Sequence, residues 1–436
     1  MRAVVLFAAA SSALTAFAAC ASSDELGPDE SPTQDGGVVA PALDAAPSDD
    51  ASDSVETDAA VSTCSKAGWC MTPLPDSDLM IKDVWPLPGR AFAIAESPTL
   101  GVKVLEWEMA TDGWKYIDDG SQGEFGLGPY VGKMWAPSEN EIYFTIAPAF
   151  VYRGTRPSPG AAWSWTRDRL VDFAAGPTHA AHDHGYPSSR LMNGNLSALG
   201  VWGVGRDDVY AWYSNAVFHL KSEDGGAPTW GVEYVAEGTE AFDEHLFILA
   251  VGGTSEAVWF AGARARGIDG CPILARKTVD GIVRIVDGVA RNSAATPCLA
   301  RDGALFLGTA PGWITDLHPL GDDAIVALKG RELVTLATSG SDYVVRSNAV
   351  TPVAMSGKPQ GFYSFWWTSN EVWLSGYSQL VRGDTTDVDA GATGLATSTV
   401  SLTNIPLDVP LYRVRGTSET NLWAVGAGYA LHKTTP

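Results

Sequence analysis

Basic side chains are scarce in this chain: 29 Lys and Arg stand against 51 Asp and Glu in 436 residues, a formal charge of −22. That balance would repel a phosphate backbone rather than neutralise it, so nucleic acid is excluded as a partner. Apolar runs at helical spacing are also missing, while Gly (46) and Pro (26) are frequent. A helical bundle is thereby excluded, and many short strands joined by turns are favoured. No P-loop, Rossmann glycine pattern or GxSxG elbow occurs, so the common nucleotide-binding and acyl-transfer classes have no foothold. Cysteines number five, with no CxxC pair and no Cys/His spacing of a zinc site.

What the chain does contain is apolar mass: 45% hydrophobic residues and 16 Trp, enough for a large core. The N-terminus carries Arg2 and then an apolar run from Val4 to Ala19. This is too short and too rich in small residues for a membrane span, and reads as a secretory signal over residues 1–19. Its end, Phe17-Ala18-Ala19-Cys20, resembles a bacterial lipobox, which implies diacylglycerol on the Cys20 thiol. The alternative is ordinary cleavage near Ala19 with Cys20 as an incidental thiol. Ala21 rather than Asp after the Cys implies, by the same resemblance, the outer membrane or cell surface.

Residues 20–63 follow as Ala, Ser, Asp, Pro and Gly, with eleven acidic residues and no Lys or Arg. Such a segment buries too little apolar surface to offset the entropy of ordering, so a disordered acidic tether is expected. Beyond it, in residues 64–436, lie Cys64, Cys70, Cys271 and Cys298. An even count in an exported chain points to two disulfides, and proximity favours Cys64 with Cys70 and Cys271 with Cys298 among three pairings.

A repeat recurs through this part. An apolar-Trp pair precedes a polar turn ending in Asp, Glu or Asn; an apolar-aromatic strand follows, then a small-residue turn and a strand ending near His or Arg. Val201-Trp202, Asp208-Val209-Tyr210-Ala211 and Val217-Phe218-His219 form one clear copy; Val414-Arg415, Asn421 to Gly426 and Ala430-Leu431-His432 form another. Copies start near Val84, Met134, Val201, Val251, Leu317, Trp366 and Val414, about 50 residues apart with two intervals longer by about 16. Each unit holds four short strands and cannot cover its own faces, so the expected fold class is all-β, a seven-bladed β-propeller. The last unit stops at Lys433–Pro436 after three strands. Gly68-Trp69-Cys70-Met71-Thr72-Pro73 begins like the outer strands and is expected to supply the fourth, closing the ring under a Cys64–Cys70 bridge. The fourth and fifth copies, with Gly252 and His318 in place of Trp, leave their register open.

Cys64, Gly68-Trp69-Cys70, Thr72-Pro73-Leu74-Pro75 and the Asn421–Gly426 core together resemble the degenerate Trp-rich propeller lipoproteins of myxobacteria and related bacteria. The resemblance spans about residues 64–433 and implies a fold and an anchor but no assigned activity. Lys221 to Trp230 resembles the Asp-box turn of sialidase-type propellers with one extra residue, which implies a structural hairpin.

Among candidate sites, His179, His182 and His184 sit within six residues beside Asp183, a set that would suit zinc, copper or nickel. The spacing fits neither HExxH nor HxHxDH, and a solvated loop is the preferred reading, with no cofactor expected. Arg382-Gly383-Asp384 is read as a chance triplet. The Trp residues are read as inter-blade packing rather than a sugar-stacking face. No catalytic residue is assigned. The functional expectation is a monomeric binding or scaffolding module at the cell envelope, touching the membrane only through its lipid and meeting a protein or glycan partner. The alternative is a polysaccharide hydrolase or lyase with carboxylates in the axial mouth.

Overall fold

A computed structural model describes residues 64–435, apart from 124–130, 172, 174–197, 223–225, 239–243, 267–268, 291–297, 309–310, 341, 351–360, 387–395, 399 and 401–406. The described residues form seven four-stranded antiparallel sheets and one two-stranded hairpin. The inner strands are Met80–Leu87, Val131–Ser138, Leu199–Gly205, Glu244–Gly253, Ile314–Pro319, Phe362–Trp367 and Leu411–Ser418, for blades 1 to 7 in order. Each lies beside the inner strand of the next blade, and that of blade 7 lies beside that of blade 1, so the sheets close into a ring. The chain is a seven-bladed β-propeller, and every repeat start read from the sequence falls in an inner strand.

Burial explains the strand sequences. The second strand of blade 1, Arg90–Ser97, buries Ala91 through Ala95 completely, as a strand covered on both faces must. Outer strands face water: in Ser164–Arg169 most side chains are exposed, and in Gly281–Val286 exposed residues outnumber buried ones. The core is divided among the interfaces between blades. Blades 1 and 2 enclose Phe92, Ile94, Ile142 and Phe144, and blades 7 and 1 enclose Trp423, Val425, Ala93 and Leu105. The Trp residues are mostly spent here, as expected from their recurrence: Trp212, Trp259, Trp373 and Trp423 are among the largest fully buried side chains.

The ring is latched by the start of the described chain. Trp69–Met71 pairs antiparallel with Tyr429–Lys433, Trp69 opposite Lys433 and Cys70 opposite His432, and becomes the outer strand of blade 7. Trp69 is fully buried and meets Trp373 of blade 6 edge-on at 5.4 Å. On the other side the Trp114 indole N–H of blade 1 donates to Thr72 Oγ1 at 2.9 Å, and Thr72 N–H donates to Ala430 O at 2.9 Å. The Cys64–Cys70 and Cys271–Cys298 bonds both form. The second ties blade 4 to the hairpin Gly288–Ala290 and Cys298–Ala300, which occupies one of the two long repeat intervals. Beside it the buried Arg264 guanidinium donates to Asp287 and Glu244 at 3.0–3.1 Å.

The polar residues of the repeat form a box. In blade 7, Asn421 Oδ1 accepts from Trp423 Nε1 at 3.1 Å and pairs with His432 Nε2 at 3.0 Å, while the His432 and Trp423 rings stack at 4.0 Å. Blade 3 repeats it with Asp208, Tyr210 and His219 (2.7 Å from Asp208 to His219). Blade 2 uses Glu141, Tyr143 and Arg153, and blade 6 uses Glu371, Trp373 and Arg382. Blade 1 inverts the charges: Arg90 opens the second strand and the fully buried Glu106 answers from the third. Arg382 of the RGD triplet is thus a box cation, paired with Glu371 across from Trp373.

One box carries a pH prediction. Burial between Trp423 and Trp107 pushes the His432 imidazole down to about 4, against the opposing charge of Asp112. Its native form is neutral, whereas in the unfolded chain it charges below about 6.5. The unfolded state therefore binds the extra proton, and stability falls as pH drops from about 6.5 to 4. Urea midpoints measured at pH 7 and pH 4.5 should differ less for His432→Gln than for the parent; an equal difference would remove His432 from the account.

Candidate functional site

Each inner strand is the edge of its sheet toward the axis, so its unpaired N–H groups need acceptors from elsewhere. Bulges set the answer. In blades 1, 4, 5, 6 and 7 the register slips by one residue at the same place, between Ile81 and Asp83, Ile248 and Ala250, Ile314 and Asp316, Phe362 and Ser364, and Leu411 and Arg413. In blade 2 the slip lies between Val131 and Met134. The structure moves the sixth apolar-Trp pair back by one residue, from Trp366-Trp367 to Phe365-Trp366, and the residue just before the pair then stands at one repeat position around the ring: Asp83, Lys133, Gly200, Ala250, Asp316, Ser364 and Arg413.

Two of these serve the next blade's edge. Asp83 Oδ2 accepts from Met134 N–H at 2.8 Å, and Ser364 Oγ accepts from Val414 N–H at 2.8 Å. Four charged members join across the ring. Arg413 donates through Nε to Asp83 Oδ1 at 2.8 Å and through Nη1 to Asp316 Oδ2 at 2.5 Å, linking blades 7, 1 and 5. Lys133 of blade 2 donates to Thr315 O of blade 5 at 3.0 Å, with its Nζ 3.4 Å from Asp316 Oδ1. These bonds span the ring at mid-depth. At Gly200 a Cβ would lie 2.1 Å from the Trp212 ring, so in blade 3 the indole takes the place of a side chain; Lys133 Nζ lies 6.0 Å from its centroid.

Two residues further along the inner strands comes a second set: Trp85, Trp135, Trp202, Gly252, His318, Trp366 and Arg415. Trp366 Nε1 donates to Gly416 O of the next blade at 2.9 Å. Arg415 lies over the Trp85 ring with its guanidinium carbon 4.4 Å from the centroid, its Nη1 3.3 Å from Val84 O and 3.6 Å from Asp83 Oδ1.

The electrostatics follow from this crowding. Burial pushes Asp83 and Asp316 upward, but Arg413, with Arg415 and Lys133 near, outweighs it and holds both carboxyls below the usual range. Burial pushes Lys133 down to about 8 although Asp316 opposes it, and pushes Arg415 down to about 10 although Asp83 opposes it. His318 is lowered by burial as well. A general acid must hold a proton near neutral pH. These two carboxyls are built to stay ionised, so neither fits the proton-donor role in a glycosidase pair. Toward the other end of the inner strands, Glu96 is raised by burial against the pull of Lys82, whose Nζ is 3.6 Å away, and accepts from Val131 N–H at 2.8 Å.

Away from the axis, a cleft of about 480 Å³ opens between blades 3 and 4 over the blade 3 box, lined by Asp208, Tyr210, His219 and Lys277. Lys277 Nζ donates to Tyr210 O–H oxygen at 2.9 Å and lies 3.0 Å from Glu233 Oε1, whose carboxylate also holds Lys221 at 2.6 Å. Asp208 and His219, and Glu233 with Lys221 and Lys277, are therefore paired with one another.

The sequence named other residues. The four cysteines are bonded as expected, and Ser222 Oγ donates to Gly226 O at 2.6 Å, bracing the Asp-box-like turn. Cys20, His179, His182 and His184 lie outside the described residues, and no group of three or more metal-ligating side chains occurs among those described. Sequence reasoning passed over Asp83, Lys133, Asp316 and Arg413. The signal was available: a charge immediately before the apolar position in four copies of the repeat, with two acids balancing two bases.

No model of a known protein family matches this chain, and neither does any curated protein. Solved structures similar to it include YCF48 from Cyanidioschyzon merolae, 16% identical, covering 85% of this chain and 99% of that one with a TM-score of 0.49. YCF48 bound to D1 peptide is 12% identical, covering 86% and 100%, with a TM-score of 0.49. The WD40 β-propeller domain of Doa1 is 11% identical, covering 84% and 96%, also at 0.49. The fold assignment rests on the strand pairing and ring closure described above.

Proposed function

We propose that this chain is an exported lipoprotein, held at the outer membrane or cell surface by diacylglycerol on Cys20, whose monomeric propeller is a binding and scaffolding module for a protein or glycan. The observation that carries the binding reading is how the repeat spends its polar residues. Box acids, cations and imidazoles are bonded to one another, and the paired axial carboxylates are held ionised by Arg413, so what the ring offers a partner is its loops and axial mouth on a rigid scaffold. Two disulfides and the Phe17–Cys20 segment support export. In a bacterial host, the full-length chain should take up an alkyne-tagged fatty acid and sediment with membranes, and Cys20→Ser should lose the label and shift to the soluble fraction. Retention of label in Cys20→Ser would defeat the anchor, and failure of the full-length chain to enrich any envelope component over a Cys20-lipidated control domain would defeat the binding reading.

A further inference from the structure

The set Trp85, Trp135, Trp202, Gly252, His318, Trp366 and Arg415 breaks its own rule at three blades. Where other blades place Trp, blade 4 has no side chain, blade 5 an imidazole and blade 7 a guanidinium. Departures from a repeat that cost packing without a structural return are where function is to be sought. Beyond its stack on the Trp85 ring, Arg415 makes little use of its five donors: one backbone acceptor at 3.3 Å and one carboxylate at 3.6 Å. Its side chain keeps 21% exposure and that of Lys133 18%, so solvent reaches both.

Charge points the same way. The axial network holds three cations, Lys133, Arg413 and Arg415, against two carboxylates, Asp83 and Asp316. One positive charge is left over in a crowded, half-buried setting, and such a charge is costly unless paired. The planar fork of Arg415, backed by the Trp85 ring, matches a carboxylate in shape. A single surplus charge is neutralised by a monoanion, whereas a phosphate dianion would leave the network net negative.

We propose that the axial mouth beside Arg415 and His318 binds a monoanionic carboxylate, of the kind a hexuronic acid carries. The inference rests on the reading of the propeller as a binding module and names the chemistry of one of its ligands. Calorimetric titration of the full-length protein with galacturonate, its methyl ester, acetate and inorganic phosphate tests it. Galacturonate should bind, more weakly as salt is raised, and the uncharged ester at least tenfold more weakly. Acetate binding as well as galacturonate assigns recognition to the carboxylate alone; weaker acetate adds the sugar ring. Arg415→Gln should reduce galacturonate affinity at least tenfold. Since Arg415 also covers Trp85, Arg415→Lys is the second variant: it keeps charge and stem, and should lose affinity by several-fold with an unchanged thermal midpoint. Equal binding of ester and acid, tighter binding of phosphate than of galacturonate, or indifference to both variants would overturn the site. Absence of carboxylate binding while the full chain still captures an envelope partner overturns this inference and leaves the binding module standing.

Discussion

Replacing Trp69 by Ala will destabilise the propeller by about 3–5 kcal/mol, the range for truncating a large buried aromatic. Trp69 is fully buried, and its ring meets Trp373 edge-on among Leu380, Leu411, Val414 and Leu431, so the cavity would open where blade 7 packs on blade 6. The effect reaches beyond transfer energy, because the strand that carries Trp69 is held by only three residue pairs with Tyr429–Lys433. Loosening it exposes the third strand of blade 7 as an edge at the point where the ring must stay shut. The neighbouring disulfide gives a comparison. Cys64 and Cys70 are six residues apart, so the chain-entropy account gives a loop this short only about 2 kcal/mol. Urea unfolding should therefore rank Trp69→Ala below the Cys64→Ser/Cys70→Ser double variant in midpoint. The reverse order would mean that the covalent bridge, and not the indole, latches the ring.

The latch was legible because it left two marks in the sequence: a last unit short of one strand, and a stray outer-strand beginning at Gly68-Trp69. The blade count was legible for a similar reason. A second strand buried on both faces and a box needing an acid or amide, an aromatic and a His or Arg leave a pattern that survives in Asp208-Tyr210-His219 and Asn421-Trp423-His432 even where other positions drift. The axial network was passed over because its partners are blades apart: Arg413 meets Asp316 97 residues away and Asp83 330 away. A scan for local motifs pairs charges near in sequence, whereas the ring pairs them by position in the repeat. Bulges hid it further, since the slip between Ile81 and Asp83 and its counterparts breaks the simple alternation that predicts which side chain faces where. Blades 4 and 5 were obscure in register for a further reason, Gly252 and His318 standing where a Trp would have marked the strand.

Replacing Arg413 by Met should cost about 3–5 kcal/mol at pH 7, because it strips the shared partner from two buried carboxylates and leaves their desolvation uncompensated. Beyond backbone N–H donors, Asp83 keeps the Arg415 cation at 3.6 Å and Asp316 keeps Lys133 at 3.4 Å. The pH dependence separates this account from a packing defect. In the parent both carboxyls sit below their ordinary 3.8, so their contribution is present above that value and is lost only as pH falls through the depressed native values. Without Arg413 burial prevails and both native values rise above 3.8; the native variant then takes up protons sooner than its unfolded chain. Its penalty should shrink as pH falls from 7 toward 4, while acid losses common to both proteins, that of His432 included, cancel in the difference. Adding Asp83→Asn and Asp316→Asn to Arg413→Met should recover part of the loss at pH 7, since uncharged amides tolerate the site better than unpaired carboxylates. Stability differences measured by urea unfolding that stay constant from pH 7 to pH 4.5, with no recovery in the triple variant, would show that the guanidinium fills space there rather than balancing charge.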